Sequence, residues 1–228
     1  MVKTGSARAK RGLKVRQRRA KAVPLATKVE PSQERARNTF ETILDTTAQI
    51  LTELGFERLS TNLVCERAGL TPPALYRYFP NKYAILKELG RRLMELQDDA
   101  VYRWIGEGGL ETETLEDSIA STRTVQLRVN EITRQQPGGV WIMRALRAVP
   151  LLREVRTASR DKVAERVFKA LRKRYPNTSA ADLRIATRLT NELMYAATEM
   201  VLEEPDRDAD KMTAELSRMI ALYFAELH

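Results

Sequence analysis

Side chains that can bind a nucleic acid are concentrated between residues 60 and 82, in the segment STNLVCERAGLTPPALYRYFPNK. Tyr76, Arg77 and Tyr78 are consecutive there, and Lys82 follows closely. Tyrosine hydroxyls and a lysine ammonium can donate hydrogen bonds to phosphate, and a guanidinium can pair with the edge of guanine. The chemistry that this segment favours is therefore recognition of a nucleic acid.

Residues suited to catalysis or metal binding are scarce. The only histidine is the last residue, His228, and the only cysteine is Cys65. A single cysteine excludes an intramolecular disulfide, and one histidine leaves no credible metal cluster or nucleophile–histidine pair. We therefore expect no enzymatic activity, no metal and no cofactor, with Cys65 as an inert core residue.

Two short helices joined by a glycine turn must position the donor residues. Ser60 precedes an apolar helical run and suits an N-cap, and Gly69 suits the left-handed residue that closes a helix. Thr71 is predicted to cap the second helix, whose first two positions tolerate Pro72 and Pro73 because their N–H groups would be unpaired. The pattern predicts a helix-turn-helix.

The second of these helices has an inner and an outer face. Leu75 and Phe79 are spaced to point inward, and Asn81 is predicted to cap the helix that follows. The outward or flanking residues are then Pro72, Pro73, Ala74, Tyr76, Arg77 and Tyr78. A plain helical hairpin with surface tyrosines is the alternative, and the coincidence of caps, turn and aromatic–basic face disfavours it.

This segment resembles the helix-turn-helix of the TetR family of transcriptional regulators, over roughly residues 35–90. Cys65 stands where the family usually has alanine. The residues that match the family motif are Ser60, Thr61, Val64, Ala68, Gly69, Leu70, Thr71, Leu75, Tyr76, Tyr78, Phe79 and Lys82.

The resemblance implies roles for individual residues. It implies phosphate contacts from Thr61, Tyr76, Tyr78 and Lys82, and base-facing or near-groove positions for Asn62, Pro72, Pro73, Ala74 and Arg77. With Thr71, these make up the expected DNA-binding set. Because the two prolines remove N–H donors from the helix tip, we expect specificity to depend on Asn62, Arg77 and DNA shape.

The excess positive charge of the chain lies in its first residues. Net charge is +9, yet residues 1–28 contain ten lysines and arginines and no acid, while the rest has 29 basic against 30 acidic residues. We expect residues 1–32 to form a basic, disordered arm that reaches into a neighbouring minor groove. The alternative is a solubilising tail or a translation-start artefact. No apolar region follows the charges, so a secretory signal is not predicted.

The rest of the chain predicts an all-α protein. Residues 33–80 are expected to form a three-helix DNA-binding domain, and residues 81–228 a helical domain for ligand binding and dimerisation that begins with a linking helix over 81–105. Further helices are predicted over 114–134, 140–149, 150–175, 180–203 and 208–227.

The last two helices carry broad apolar stripes that predict a homodimer. Such a pair from each of two subunits would make a four-helix bundle, which the resemblance to the family supports. The alternative is that the pair only closes its own core. The expected interface residues are Leu189, Leu193, Ala196, Ala197, Met200, Leu216, Met219 and Tyr223.

The middle helices are expected to hold a small-molecule effector, because members of the family usually do. Trp and Met suit an apolar pocket, and an inward arginine would suit an acidic group. Any one of these residues can equally be core or surface. The expected lining residues are Trp104, Arg128, Trp141, Met143 and Arg144.

The sequence thus predicts a cytoplasmic, homodimeric repressor that an apolar small molecule releases from a palindromic operator in double-stranded DNA. No apolar stretch is long enough to span a membrane. One alternative is a regulator or activator that binds DNA constitutively and has no inducer. A helical enzyme or partner-binding scaffold with an electrostatic tail is disfavoured by the near absence of histidine and by the complete helix-turn-helix.

Overall fold

The computed structural model describes residues 23–28, 34–204 and 206–227. These residues form nine α-helices and contain no β-strand. The helices are α1 (Glu34–Leu54), α2 (Thr61–Ala68), α3 (Pro72–Tyr78), α4 (Lys82–Gly106), α5 (Leu115–Gln135), α6 (Gly139–Ala148), α7 (Arg153–Leu171), α8 (Ala180–Glu203) and α9 (Ala209–Ala225). The all-α prediction is confirmed.

Local capping chemistry starts most of these helices where the sequence predicts. Thr114 and Asp117 form a reciprocal capping box at α5, and Asp208 accepts from the backbone N–H of Lys211 at α9. Each such cap pairs a backbone donor that the helix itself leaves free. Helix starts are therefore encoded within four or five residues of sequence.

The helix predicted over 150–175 is shorter than expected. Pro150–Leu152 form a 3₁₀ turn, and α7 itself covers Arg153–Leu171. At the far end the Arg172 guanidinium donates to the carbonyls of Tyr175 and Thr178, at 2.7 and 2.9 Å. These side-chain bonds hold a turn, so the chain leaves the helix before Pro176.

The head of the molecule consists of α1, α2 and α3 around one apolar core. Phe40 of α1 stacks on Phe79 at a ring-centroid distance of 4.8 Å, and Phe79 is completely buried. Ile43 and Leu75 are also fully buried in this core. This core fixes the orientation of α3 relative to α1 and α2.

Helix α4 and helix α6 join the head to the rest of the molecule. Arg92 of α4 forms two hydrogen bonds with the Glu41 carboxylate of α1, at 2.6 and 2.8 Å. Gly138 immediately precedes α6. Its φ of +68° favours glycine, and a Cβ there would lie 2.9 Å from the Ala48 carbonyl oxygen of α1. Because one buried cluster runs from α1 through α4 to α6, the head is packed firmly on these two helices.

The body consists of α4 to α9. Helix α5 packs mainly on α9, and α7 lies between α4 and α8. Among the described helices, none is both long enough and apolar enough to cross a lipid bilayer.

Candidate nucleic-acid interface and internal cavity

The helix-turn-helix has the predicted turn. Gly69 adopts φ +64°, and the Leu70 N–H donates to the Cys65 carbonyl at 2.9 Å, which closes α2. Ser60 accepts from the Leu63 N–H at 3.2 Å, and Asn81 accepts from the Ala84 N–H at 3.0 Å. Three of the four predicted cap and turn residues therefore act as expected.

Thr71 occupies the N-cap position of α3 but its side chain makes no capping bond. The first two helical positions are Pro72 and Pro73, which have no N–H to offer. The next donor, the Ala74 N–H, is already bonded to the Thr71 carbonyl at 3.0 Å. The Thr71 hydroxyl is thereby left on an exposed residue at the tip of the helix.

Most of the predicted DNA-binding residues lie on one exposed surface. The exposed members are Asn62, Thr71, Pro72, Pro73, Tyr76 and Arg77, and the half-buried members are Thr61, Ala74 and Lys82. The Thr61 hydroxyl lies 3.0 Å from the Tyr76 hydroxyl, so α2 and α3 are tied together at this surface. The two oxygens are placed where one phosphate could meet both.

Tyr78 differs from the prediction because it is buried rather than outward-facing. Its residue is 4% exposed, and its ring packs edge-on against Phe40 at 5.9 Å. Helix α3 has only two turns, and a residue three positions after Leu75 falls on the same inner face. A tyrosine in a phosphate-contact position of the motif is here part of the core.

Lys82 is engaged inside the head. Its ammonium donates to the Leu59 carbonyl at 3.0 Å and lies 4.6 Å from the centre of the Phe56 ring. An ammonium has three donors, so two stay available for an anion at the start of α4. A contact between Lys82 and phosphate stays a prediction.

Residues 23–28 lie against the end of α3, which the sequence did not predict. The Lys28 N–H donates to the Tyr78 carbonyl at 2.8 Å, and the Lys28 ammonium donates to the Tyr76 carbonyl at 3.0 Å. The Asn81 side chain donates to the Pro24 carbonyl at 2.8 Å. The ammonium and the backbone N–H of Lys28 thus each pair one carbonyl at the negative end of the helix. The other residues of the predicted arm lie outside the described residues.

A cavity of about 230 Å³ lies in the body, between α4, α5, α7, α8 and α9. Its wall is mainly apolar, with polar side chains on α4, α5 and α8. Representative lining residues are Gln97, Val101, Trp104, Gln126, Val129, Val163, Val167, Thr187, Asn191, Met194 and Ile220. This volume and lining suit a small, largely apolar molecule.

Only one of the five predicted ligand-lining residues, Trp104, borders this cavity, and its indole N–H donates to the Ser121 hydroxyl at 2.9 Å. The other four do not border it. Arg128 is exposed on α5, and Met143 is buried in the core shared with the head. Trp141 lies against Gly55, and Arg144 stacks on Trp141 at 4.8 Å. Three of the four belong to α6, which packs towards α1 instead of bordering the cavity.

A buried polar cluster joins three helices beside the cavity. Ser159 of α7 donates to the Asp98 carboxylate of α4 at 2.7 Å and lies 2.9 Å from the Tyr195 hydroxyl of α8. Burial raises the pKa of Asp98 to about 6, partly offset by the Ser159 hydrogen bond and the charge of Lys162. Keeping the Asp98 carboxylate ionised in this cluster at neutral pH therefore costs free energy of desolvation.

Replacing Asp98 with asparagine is expected to stabilise the fold by about 3 kcal/mol at pH 7.5, because burial raises the pKa from 3.8 to about 6 and each pKa unit corresponds to about 1.4 kcal/mol. A carboxyl whose folded pKa is raised favours the folded state while it is neutral. Its destabilising effect therefore appears as the pH rises from about 4 to about 6. Urea unfolding of Asp98→Asn and wild type at pH 7.5 and pH 4 measures the difference, which should vanish at pH 4.

The neighbouring exposed residue provides the control for this prediction. Asp99→Asn removes an equal charge from an exposed position and is expected to change the unfolding free energy by less than about 0.5 kcal/mol. If Asp98→Asn is instead less stable than wild type at pH 7.5, the ionised carboxylate stabilises the fold more than its desolvation destabilises it.

Helices α8 and α9 present an apolar face with no partner among the described residues. The predicted interface residues Leu189, Leu193, Met200, Met219 and Tyr223 are among the exposed large apolar residues, together with Ile185 and Leu222, which were not predicted. Ala196 is exposed as well. Ala197 and Leu216 are instead buried in a cluster between α8 and α9 of the same chain, so these two cannot belong to the exposed face.

Among the described residues, no group of three or more His, Cys, Asp or Glu side chains could hold a metal ion. Cys65 is free and buried in the core of the head. Burial raises the pKa of its thiol, which keeps it in the unreactive protonated form at neutral pH.

Comparison with known proteins places this geometry among bacterial regulators. Residues 43–89 match the family model for bacterial regulatory proteins of the tetR family, and residues 126–223 match that for the tetracyclin repressor-like C-terminal domain. The tetracycline repressor protein class C of Escherichia coli is 36% identical over 56 residues, 25% of this chain. The match spans 26% of the relative, about a quarter of its length.

Solved structures agree over most of the chain. A structure described as a TetR-family transcriptional regulator from Syntrophomonas wolfei has a TM-score of 0.62 at 14% identity, covering 84% of this chain and 97% of that one. Thermus thermophilus FadR, a TetR-family transcriptional repressor in complex with lauroyl-CoA, has a TM-score of 0.58 at 19% identity, with coverage of 79% and 92%. At these identities the likeness establishes the fold.

Proposed function

The chain belongs to the TetR family of DNA-binding transcriptional regulators, which are not enzymes, and we propose that it is a homodimeric repressor released from a palindromic operator by a small apolar molecule. Such a protein acts in the cytoplasm, where it meets its operator. The Thermus thermophilus relative is a transcriptional repressor solved in complex with lauroyl-CoA, which supports both DNA binding and ligand binding by this chain.

The observation that carries this proposal is that α4 runs from the head to the cavity wall. Helix α4 begins just after α3, the recognition helix, and Asn81 caps it there. Its later turns contribute Gln97, Val101 and Trp104 to the cavity wall. A molecule that fills the cavity pushes on a helix that is bonded to the head through Arg92 and Glu41. Ligand binding can therefore change the position of the head and hence its affinity for DNA.

Dimerisation is supported by the exposed apolar face on α8 and α9. Its members Ile185, Leu189 and Met219 are each more than half exposed, which is costly in water. A second copy of the chain has the same face, so a two-fold axis would bury both at once. Two heads related by that axis would read the two halves of a palindrome.

Sequence reading by this head should depend on few residues. Arg77 and Asn62 are exposed and carry hydrogen-bonding groups, whereas Pro72 and Pro73 offer only apolar surface. Arg77→Ala is expected to cost about 1–3 kcal/mol in operator affinity and to relax the preference at one base pair of each half-site. Competition binding against all four bases at each operator position measures both effects.

Arg153→Ala serves as the control for Arg77, because it removes an exposed arginine from α7 in the body. It should leave affinity and base preference as in wild type. An unchanged base preference in Arg77→Ala would contradict the assignment of Arg77 to base reading.

The function itself is tested by footprinting at about 150 mM salt, where non-specific contacts weaken. We expect a protected inverted repeat upstream of a regulated gene, and loss of protection when an effector is added. The absence of any protected site in a genome-wide binding selection would overturn the regulator assignment. A stable footprint that no cavity ligand releases would favour a constitutive regulator, for which the cavity has no use.

A further inference from the structure

Two glutamine side chains in the cavity wall have an unpaired carbonyl oxygen. Gln97 of α4 and Gln126 of α5 both line the cavity, and each is only 1% exposed. The Oε1 atom of each is buried and has no hydrogen-bond donor among the described residues. A buried acceptor without a donor destabilises the fold, so each of these oxygens can gain from a hydrogen bond that a ligand donates.

The orientation of the Gln126 amide is fixed by its neighbours. Its nitrogen lies 2.8 Å from the Thr198 hydroxyl and 3.3 Å from the Met194 carbonyl oxygen. A backbone carbonyl can only accept, so the amide nitrogen must be on this side. The oxygen of Gln126 is consequently turned away from α8.

The orientation of Gln97 follows from the same reasoning. Its nitrogen lies 2.6 Å from the Thr133 hydroxyl oxygen. The Thr133 hydroxyl donates its proton to the Val129 carbonyl at 2.9 Å, so it can only accept from Gln97. Exchanging the two ends of the Gln97 amide would bring two acceptors together.

Several donors elsewhere in the wall are already used. The hydroxyls of Thr187 and Thr190 donate to backbone carbonyls of their own helix, and the Asn191 amide donates to the Arg160 carbonyl at 2.9 Å. The Trp104 indole donates to Ser121. The wall thus presents apolar surface and the two glutamine oxygens, which can only accept, to a ligand. The hydroxyls of Ser118, Thr122 and Tyr175 also line it and can either donate or accept.

Charged groups near the cavity do not favour a charged ligand. Among the described lining residues the only acid is Glu113, which is exposed, and the only cation is Arg174, which donates to the Leu110 carbonyl at 2.8 Å. A carboxylate would meet the glutamine oxygens as a further acceptor, and a buried ammonium would find no counter-ion. Both charged classes are therefore disfavoured.

We infer that the effector is a neutral, mainly apolar molecule with at least one hydroxyl group, which donates to the side-chain oxygen of Gln97 or Gln126. This inference rests on the proposed function, since it takes the cavity as the effector site. It replaces the acidic effector that an inward arginine would have favoured.

The test uses three probes of similar shape with the full-length protein: 4-butylphenol, its methyl ether 4-butylanisole, and 4-butylbenzoate. Titration calorimetry should give a Kd for the phenol that is lower than those of the ether and the benzoate by on the order of 10-fold. Only the phenol is both neutral and a donor. Equal or tighter binding of the ether or the benzoate, or no binding of any probe, would overturn the inference.

Matched variants identify the acceptor. Gln97→Met and Gln126→Met keep the side-chain length and remove the oxygen, and at least one of them should reduce the preference for phenol over ether to within about twofold. Gln135→Met, on the exposed end of α5, should keep the preference. An undiminished preference in both cavity variants would contradict the role of the glutamines. The wild-type probe comparison stays decisive if a variant does not fold.

Parallel measurement of operator binding separates this inference from the proposed function. If the phenol binds with the expected preference but the operator stays bound, the ligand class stands and the release mechanism fails. If all three probes release the operator equally, the release mechanism stands and the ligand class fails.

Discussion

Replacing Leu189 and Leu193 with glutamate is expected to convert the protein to monomers and to lower its operator affinity by at least about 100-fold. A specific dimer binds its site with a Kd of about 10⁻⁸–10⁻¹¹ M through two half-sites, and a monomer keeps the contacts of only one. The loss should be seen in both the molar mass by light scattering and the binding isotherm.

The physical reason lies in the exposed face of α8 and α9. Leu189 is 53% exposed and Leu193 is 44% exposed in the single chain, and burying a leucine fully contributes about 1.5–3 kcal/mol. Glutamates at these positions would remove that gain and would place like charges next to their symmetry mates. Because both residues point away from the protomer core, the substitutions should leave the fold of the single chain intact.

Leu96→Glu is the matched control for this pair. Leu96 is a leucine of similar exposure, 42%, on α4 and outside the face. It should leave the dimer and the operator affinity unchanged. A double variant on α8 that stays dimeric, with wild-type affinity, would show that the subunits associate through another surface.

Deleting residues 1–22 is expected to reduce the salt dependence of DNA binding. The deleted segment carries nine lysines and arginines and no acid. If about four of them neutralise phosphates, the slope of log K against log salt should become shallower by about 3.6. The affinity lost on deletion should then be about 100-fold greater at 50 mM than at 200 mM salt.

The anchoring of residues 23–28 is the reason to expect this segment at the DNA. Lys28 is bonded to the Tyr76 and Tyr78 carbonyls, at the end of the recognition helix. The chain before residue 23 therefore starts beside the surface that faces the operator. A short basic segment held there has a high local concentration near the phosphates.

A control variant removes charge from elsewhere. Lys169→Gln together with Lys173→Gln neutralises two exposed lysines near the end of α7 in the body and should leave the salt slope unchanged. An unchanged slope after deletion of residues 1–22, accompanied by lower solubility, would support the solubilising-tail alternative.

The sequence by itself determined the helices and the turn that define the head. Ser60, Gly69 and Asn81 act through hydrogen bonds and backbone angles that involve residues at most five positions away. The spacing of apolar residues by three or four positions in α1 likewise indicates its buried stripe, including Phe40, Ile43 and Leu51. Such features depend on local chemistry, which the order of residues specifies directly.

The apolar stripes of α8 and α9 can be predicted from the sequence. Which of their residues pack within the chain and which stay exposed cannot. Leu189 and Leu216 have the same side chain, yet the first is exposed and the second lies between the two helices. Periodicity indicates that a helix has an apolar side, and a broad stripe covers more than one neighbour can bury. Only the position of the neighbouring helix decides which leucines stay for a partner.

Tertiary packing alone decided the inner wall of the cavity, the place of Tyr78 and the contact made by Lys28. The unpaired oxygens of Gln97 and Gln126 arise because Thr133, Met194 and Thr198 come from other turns and helices to occupy the amide nitrogens. Lys28 meets carbonyls 48 and 50 residues further along the chain. Contacts across such distances depend on how the helices pack, which no local sequence pattern contains.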